Sequence, residues 1–226
     1  GRNLVYHLFP LSFEEYCKFQ NLDVTDVYST QAKAILKSQL EKYIQRGGYP
    51  ETVFMDEELI QRTLQSYFDV MLFRDIVERH AISTPLVLKH FLKKILNNIS
   101  NKLSVHKFYN ELKSQGMTTS KNAIYEFLDH AIDCFLLFTI YPYEPSLSKQ
   151  QMKTRKVYAV DSGLVNAVTY RYSEDKGKLL ENVVFMHLVR EKSTVHYLND
   201  KYECDFIVQK KSTIIKAIQV CLTLRD

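Results

Sequence analysis

Apolar positions recur at helical spacing along most of this chain, with strand-like alternation confined to its first residues, its middle and its last part. Arg2 to Leu8 alternates as a strand would, and Pro10 ends it. A strand with no preceding partner suggests a chain cut inside a domain. Ser12, three residues ahead of Glu15, predicts a capping box for a helix over Phe13 to Phe19. Gln31 to Gln45 sets Ala32, Ile35, Leu36, Leu40, Tyr43 and Ile44 along one side of a second helix. Gly47-Gly48 stops it, and Tyr49-Pro50-Glu51 makes a rigid turn. Asp56 is placed to cap a long helix reaching about His80.

Thr84-Pro85 opens the next unit, with proline at the first helical position of a helix over Leu86 to Asn97. Ser104 caps Val105 to Gln115, which Gly116 ends, and Ser120 caps a third helix. In that helix Ile124, Phe127, Leu128, Ala131, Ile132 and Phe135 form one apolar stripe. The period then shortens: Phe135 to Tyr141 and Lys156 to Val160 read as strands around a polar loop from Pro142 to Lys153. Three short helices and a β-hairpin predict a winged helix-turn-helix. Beyond it come a helix from Lys178 to about Lys192 and strands over Val195 to Leu198, Glu203 to Gln209 and Thr213 to Leu222, a sheet that reads as truncated. The expected class is therefore α+β, in three parts: a helical region over residues 1–81, a winged helix over 82–157 and an α/β unit over 158–226.

Composition adds limits. With 46% hydrophobic and 25% charged residues among 226, the chain has the balance of a folded, soluble protein. No apolar run is long enough for a membrane span, and Leu4 to Leu11 lacks the features of a signal peptide, so a cytoplasmic protein is expected. Cys17, Cys134, Cys204 and Cys221 are too scattered for a zinc site and predict reduced, mostly buried thiols. The seven histidines show no metal-binding grouping, and no metal site is expected among them. The net charge of +4 is uneven: residues 82–157 hold 11 Lys and Arg against 5 Asp and Glu, and the flanking parts are near neutral. A basic winged helix points to DNA or RNA, with Ser120, Lys121, Asn122 and Tyr125 at the start of the third helix and Lys149, Lys153, Arg155 and Lys156 along the wing. Glu126 opposes this, and winged helices also dock protein partners, so both readings stand. Asp161-Ser162-Gly163 looks catalytic in isolation, but aspartate is a common helix N-cap.

Several segments carry a family likeness. GRNLVYHLFPLSFEEY at the start, the Gly47 to Glu51 loop and Leu72 to His80 resemble prokaryotic AAA+-type ATPases of the archaeal ATPase group, in the stretch after the sensor-1 strand and in the helical lid. The winged helix, KVYAVDSGL from Lys156, GKLLENVVFMHL from Gly177, YECDFIV from Tyr202 and AIQVCL from Ala217 resemble that family's C-terminal domain. The resemblance implies ATP and Mg²⁺ for a full-length parent, bound by an N-terminal ATPase part. This chain has no GxxxxGK[ST] loop to cradle phosphates, so no cofactor is expected for it alone. Arg2 falls where the likeness would allow an arginine finger, and Arg74 lies on a lid helix that could face a γ-phosphate; the alternative is an exposed Arg2 and an Arg74 paired with Asp75 or Glu78.

The last unit also resembles the core of the PD-(D/E)XK nucleases, with Glu181 on a helix, Asp205 on a strand and Gln219 as third ligand. In that family the carboxylates hold Mg²⁺, and a lysine two residues past the third ligand stabilises the attacking water and the phosphorane charge. Cys221 stands at the lysine position, and Lys216, an odd number of residues away, falls on the opposite strand face, so a degenerate site is expected. Glu203 shares the face of Asp205, which leaves weak metal binding and a surviving metal-dependent nuclease as alternatives.

Overall fold

The computed structural model describes residues 4–22, 28–169, 176–200 and 202–223. It is a mixed α+β protein of helices and two small three-stranded antiparallel sheets. The expected first strand is not formed over its described part: residues 4–8 pair with no sheet, and Leu4, Val5, Tyr6 and Leu8 are 71–95% exposed. Alternation marks a face for burial, but only a partner strand supplies the ladder.

Helix α1 (Phe13–Phe19) carries the full capping box: Ser12 accepts from the Glu15 amide and the Glu15 carboxylate accepts from the Ser12 amide. Helix α2 (Thr30–Arg46) ends at Gly47, whose φ of +79° few other residues tolerate. Helix α3 (Glu57–Val70), capped by Asp56, runs on through a π-helical stretch, Met71–Glu78. Ile60, Leu64, Phe68, Leu72 and Ile76 line one buried side of this continuous rod.

In the winged-helix order that follow, α4 (Pro85–Asn97), β1 (Lys102–Leu103), α5 (Val105–Ser114), α6 (Lys121–Asp133), β2 (Leu137–Ile140), α7 (Leu147–Met152) and β3 (Arg155–Ala159) build a sheet of order β1-β3-β2. On α6, Ile124, Phe127, Leu128 and Ala131 are each no more than 2% exposed, so the predicted stripe is the buried face. Two features differ from expectation. The polar loop contains the short helix α7, and a two-residue strand, too short to leave a periodic trace, covers the free edge of β3.

The remaining elements are α8 (Ser162–Val168), α9 (Lys176–Arg190), β4 (Thr194–Asn199), β5 (Glu203–Lys210) and β6 (Thr213–Ile218). The last three form a meander of order β4-β5-β6. Helix α8 packs against α2, α3, α4 and α9, with Leu164 and Val165 fully buried. One apolar core accordingly runs without a break from Ile44, through α3, the winged helix and α8, to Phe206 and Val208 on β5. The two sheets meet where Tyr197 on β4 exchanges backbone hydrogen bonds with Tyr141 and Tyr143 just beyond β2. Among the cysteines Cys17 is buried, Cys134 and Cys204 are half-buried and Cys221 is exposed, all as free thiols.

Candidate functional site: a lysine-filled carboxylate pair and a basic cleft

Helix α9 lies across the end of β3 because Asn182 imitates a strand. Its side-chain oxygen accepts from the Ala159 amide at 2.7 Å, and its amide nitrogen donates to the Ala159 carbonyl at 3.0 Å. Tyr158 stacks on Phe185 at 4.1 Å between centroids, fixing the same contact. Glu181, one residue before Asn182, is thereby brought to the inner face of β3. There its Oε1 accepts from the Tyr158 hydroxyl at 2.8 Å and from Lys156 Nζ at 3.0 Å.

The same ammonium donates to Asp205 Oδ1 on β5, also at 3.0 Å. Asp205 Oδ2 accepts from Gln219 Nε2 at 2.8 Å and from the Val220 amide at 3.0 Å. This explains why β6 stops at Ile218: the next residues leave the ladder to bind Asp205. The side chains of Lys156, Glu181 and Asp205 are only 14%, 12% and 14% exposed. Burial alone would lower the pKa of Lys156, but the Glu181 and Asp205 carboxylates outweigh it and hold the ammonium above the ordinary lysine value. Burial raises the Glu181 carboxyl, against the pull of Lys156 and Tyr158. Burial and then the Glu181 charge push the Tyr158 phenol strongly up, so it serves as a donor.

Glu181, Asp205 and Gln219, expected together from the sequence, are therefore brought together. Cys221 is exposed, and Lys216 turns away to within 3.8 Å of Glu191. The residue that sequence reasoning misplaced is Lys156. The sequence sets it along the basic wing, but the strand period sends Arg155 and Lys156 to opposite faces. Arg155 lies over the Tyr141 ring at 5.3 Å, and Lys156 points inward between the carboxylates. The one signal in the sequence was the strand alternation, which puts Lys156 on the same face as Tyr158 and opposite Arg155.

A cleft of about 750 Å³ opens onto this group. One wall comes from the winged helix, with Lys94, Asn97, Asn98, Asn101, Lys102 and Lys107; the other comes from α9 and β5, with Lys178, Glu181 and Glu203. Lys94 is paired with Glu111, and Lys102 donates to Asn199 at 2.6 Å, whereas Lys107 is exposed. Amides and ammonium groups together on such a surface suit phosphate oxygens. On α6, Ser120 is used as the cap, accepting from the Ala123 amide, while Lys121, Asn122 and Tyr125 are exposed beside it. Lys149 is exposed on α7, and Lys153 lies 3.3 Å from Glu144.

Residues 37–175 match the family model described as a domain of unknown function, DUF8612. The chain belongs to this family. The DUF8612 span takes in the Gly47-Gly48 turn, the winged helix, Lys156 and Asp161, and ends before Glu181 and Asp205. Curated relatives carry no more specific name. An uncharacterized protein of Methanocaldococcus jannaschii, MJ1544, is 34% identical over 232 residues, covering 100% of this chain and 51% of its own length. An uncharacterized protein of Haemophilus influenzae is 30% identical over 219 residues, covering 95% of this chain and 52% of its own. The chain spans about half the length of these relatives. No solved structure matches it.

Within the DUF8612 span, Asp161 is a structural clamp. It is 4% exposed, and its carboxylate accepts from the Leu164 amide at 2.9 Å, capping α8, and from the Gly48 amide at 2.7 Å. Gly163 lets α8 lie directly on the end of α2, since a Cβ there would stand 2.1 Å from the Arg46 carbonyl oxygen. The catalytic look of Asp161-Ser162-Gly163 thus resolves into a turn-to-turn latch. Arg74 is exposed and paired with Asp75 at 2.9 Å. Arg2 lies outside the described residues.

Proposed function

We propose that this chain is the C-terminal portion of an AAA+-type ATP-binding protein and that it recognises nucleic acid through its winged helix and the adjoining basic cleft. The observation that carries this reading is the cleft itself, where lysines and asparagines of the winged helix share an opening of about 750 Å³ with Lys178 of α9. The lysine surplus of residues 82–157 supports it, as do the exposed Lys121 and Asn122 at the start of α6. ATP and Mg²⁺ belong to the rest of the longer protein in this proposal, and its place is the cytoplasm. Among the described residues no helix is long and apolar enough to cross a membrane.

The test is duplex and single-stranded DNA binding by fluorescence anisotropy across a salt series. Each lysine that neutralises a phosphate should contribute about 0.9 to the slope of log K against log salt. Lys102→Ala with Lys107→Ala should flatten the slope by about two units and weaken all sequences alike, and Lys121→Ala with Lys149→Ala should do the same if the helix face also contacts phosphate. Absence of salt-dependent binding at low ionic strength refutes the proposal. A protein-docking role would then lead, supported by the exposed apolar run of Leu4, Val5, Tyr6 and Leu8.

A further inference from the structure

The nuclease-like likeness implies a divalent cation held by Glu181, Asp205 and Gln219, and the side chains around that position do not fit one. Mg²⁺ requires about six oxygen ligands at roughly 2.1 Å in near-octahedral array. Here Glu181 Oε1 already receives Lys156 Nζ and the Tyr158 hydroxyl, and Asp205 Oδ1 receives Lys156 Nζ. Asp205 Oδ2 is held by two further N–H donors, one of them from Gln219, whose amide presents its nitrogen rather than its oxygen. Among the described residues no group of three His, Cys, Asp or Glu side chains is gathered for a metal.

We propose that the Lys156 ammonium is the resident cation of this centre, occupying in covalently tethered form the position a divalent metal would take between Glu181 and Asp205. Three observations support it. The ammonium is equidistant, at 3.0 Å, from one oxygen of each carboxylate. All three side chains are mostly buried, where an unpaired pair of carboxylates would be strongly disfavoured. Lys156 also arrives from β3, a different part of the chain from either carboxylate, so the centre closes only when β3, α9 and β5 are assembled. A lone buried ion pair would need one carboxylate; two carboxylates converging on one cation are the arrangement of a cation site. The inference does not rest on nucleic-acid recognition, and the DNA-binding test above can fail without affecting it.

The experiment measures Mn²⁺ binding by the 226-residue chain, following the free-ion signal by electron paramagnetic resonance. Wild type should bind no Mn²⁺ more tightly than the millimolar range. Lys156→Met, which keeps the stem and removes the charge, should gain at least tenfold in Mn²⁺ affinity, and Mn²⁺ should raise its melting temperature while leaving that of wild type unchanged. Adding Asp205→Asn to Lys156→Met should abolish the gain. A folded Lys156→Met variant with no gain would reduce Lys156 to a structural ion pair and overturn the proposal. So would micromolar Mn²⁺ binding by wild type that is lost in Asp205→Asn. Should Lys156→Met fail to fold, wild type alone decides through its lysine side-chain nitrogen resonances. The Lys156 ammonium signal should persist in slow exchange and stay unshifted in millimolar Mg²⁺, and its displacement by Mg²⁺ would refute the proposal.

Discussion

Asp161→Ala is the most direct challenge to the clamp between the Gly47-Gly48 turn and α8. The carboxylate serves the amides of Gly48 and Leu164 by direct hydrogen bonds, and the Gly163 amide also acts on it. Alanine leaves these N–H groups facing protein instead of an acceptor. A buried, unsatisfied amide costs about 1–3 kcal/mol, and the lost helix cap accounts for about 1 kcal/mol of that total. Relief of a buried charge offsets part of the cost, which leaves a net loss of about 3 kcal/mol. In a chain of this size that corresponds to a fall in melting temperature of about 6–12 °C. Urea unfolding followed by circular dichroism measures it directly, with an unchanged m-value showing that the two states compared are the same. A loss under about 1 kcal/mol would show that water reaches the turn and that the clamp is dispensable. The pH dependence supplies a second check. Burial raises the Asp161 carboxyl despite the amides that pull it down, so the folded chain holds that proton more tightly than the unfolded chain. The Asp161 contribution to stability should therefore decline as pH rises from the ordinary aspartate value through the raised native one, and Asp161→Asn should lack that slope.

Gly163→Ala should destabilise by about 3 kcal/mol or prevent folding, because its Cβ would meet the backbone of α2 rather than a movable side chain; Gly177→Ala, with open space around it, should be neutral or stabilise by about 0.5 kcal/mol, and equal outcomes in denaturant melts would refute the packing argument. His130 stacks on His80 at 3.6 Å between centroids, and burial followed by the His80 charge lowers its pKa against the opposing pull of Asp133, Glu126 and Asp129. A depressed native histidine gives stability that is present above its unfolded value near pH 6.5 and is lost as pH falls through the native one, so the urea midpoint should drop on acidification and His130→Phe should blunt the drop.

The helices were legible wherever caps and stripes agreed. Ser12, Asp56, Ser104 and Ser120 each accept the expected N-terminal amide, and the α6 stripe is the buried face. Thr84 opens α4 without a side-chain bond, because Pro85 at the first helical position already fixes the turn. What could not be read is what depends on partners distant in sequence. Strand β1 exists because the β3 edge needs donors and acceptors, with Ser100 donating to the Val157 carbonyl and Val157 to that of Asn101. Glu181, Asp205 and Gln219 were visible as a set only through their resemblance to the PD-(D/E)XK nuclease core. The fourth member, Lys156, is 25 residues from Glu181 and 49 from Asp205, in what reads along the sequence as the wing. A lysine beside other lysines looks like a surface residue until the strand's inner face is known.

The unbroken core has a mechanical consequence. Helix α8 is gripped by α2, α3, α4 and α9 together, and the β2 and β4 edges are stitched at Tyr197. Among the described residues, one apolar core joins the π-helical stretch to α6, the helix that carries Lys121. A push delivered to α2 or α3 would be resisted by the buried leucines and phenylalanines of that core. Packing of this kind favours the movement of the winged helix together with α3 and α8 over bending between them.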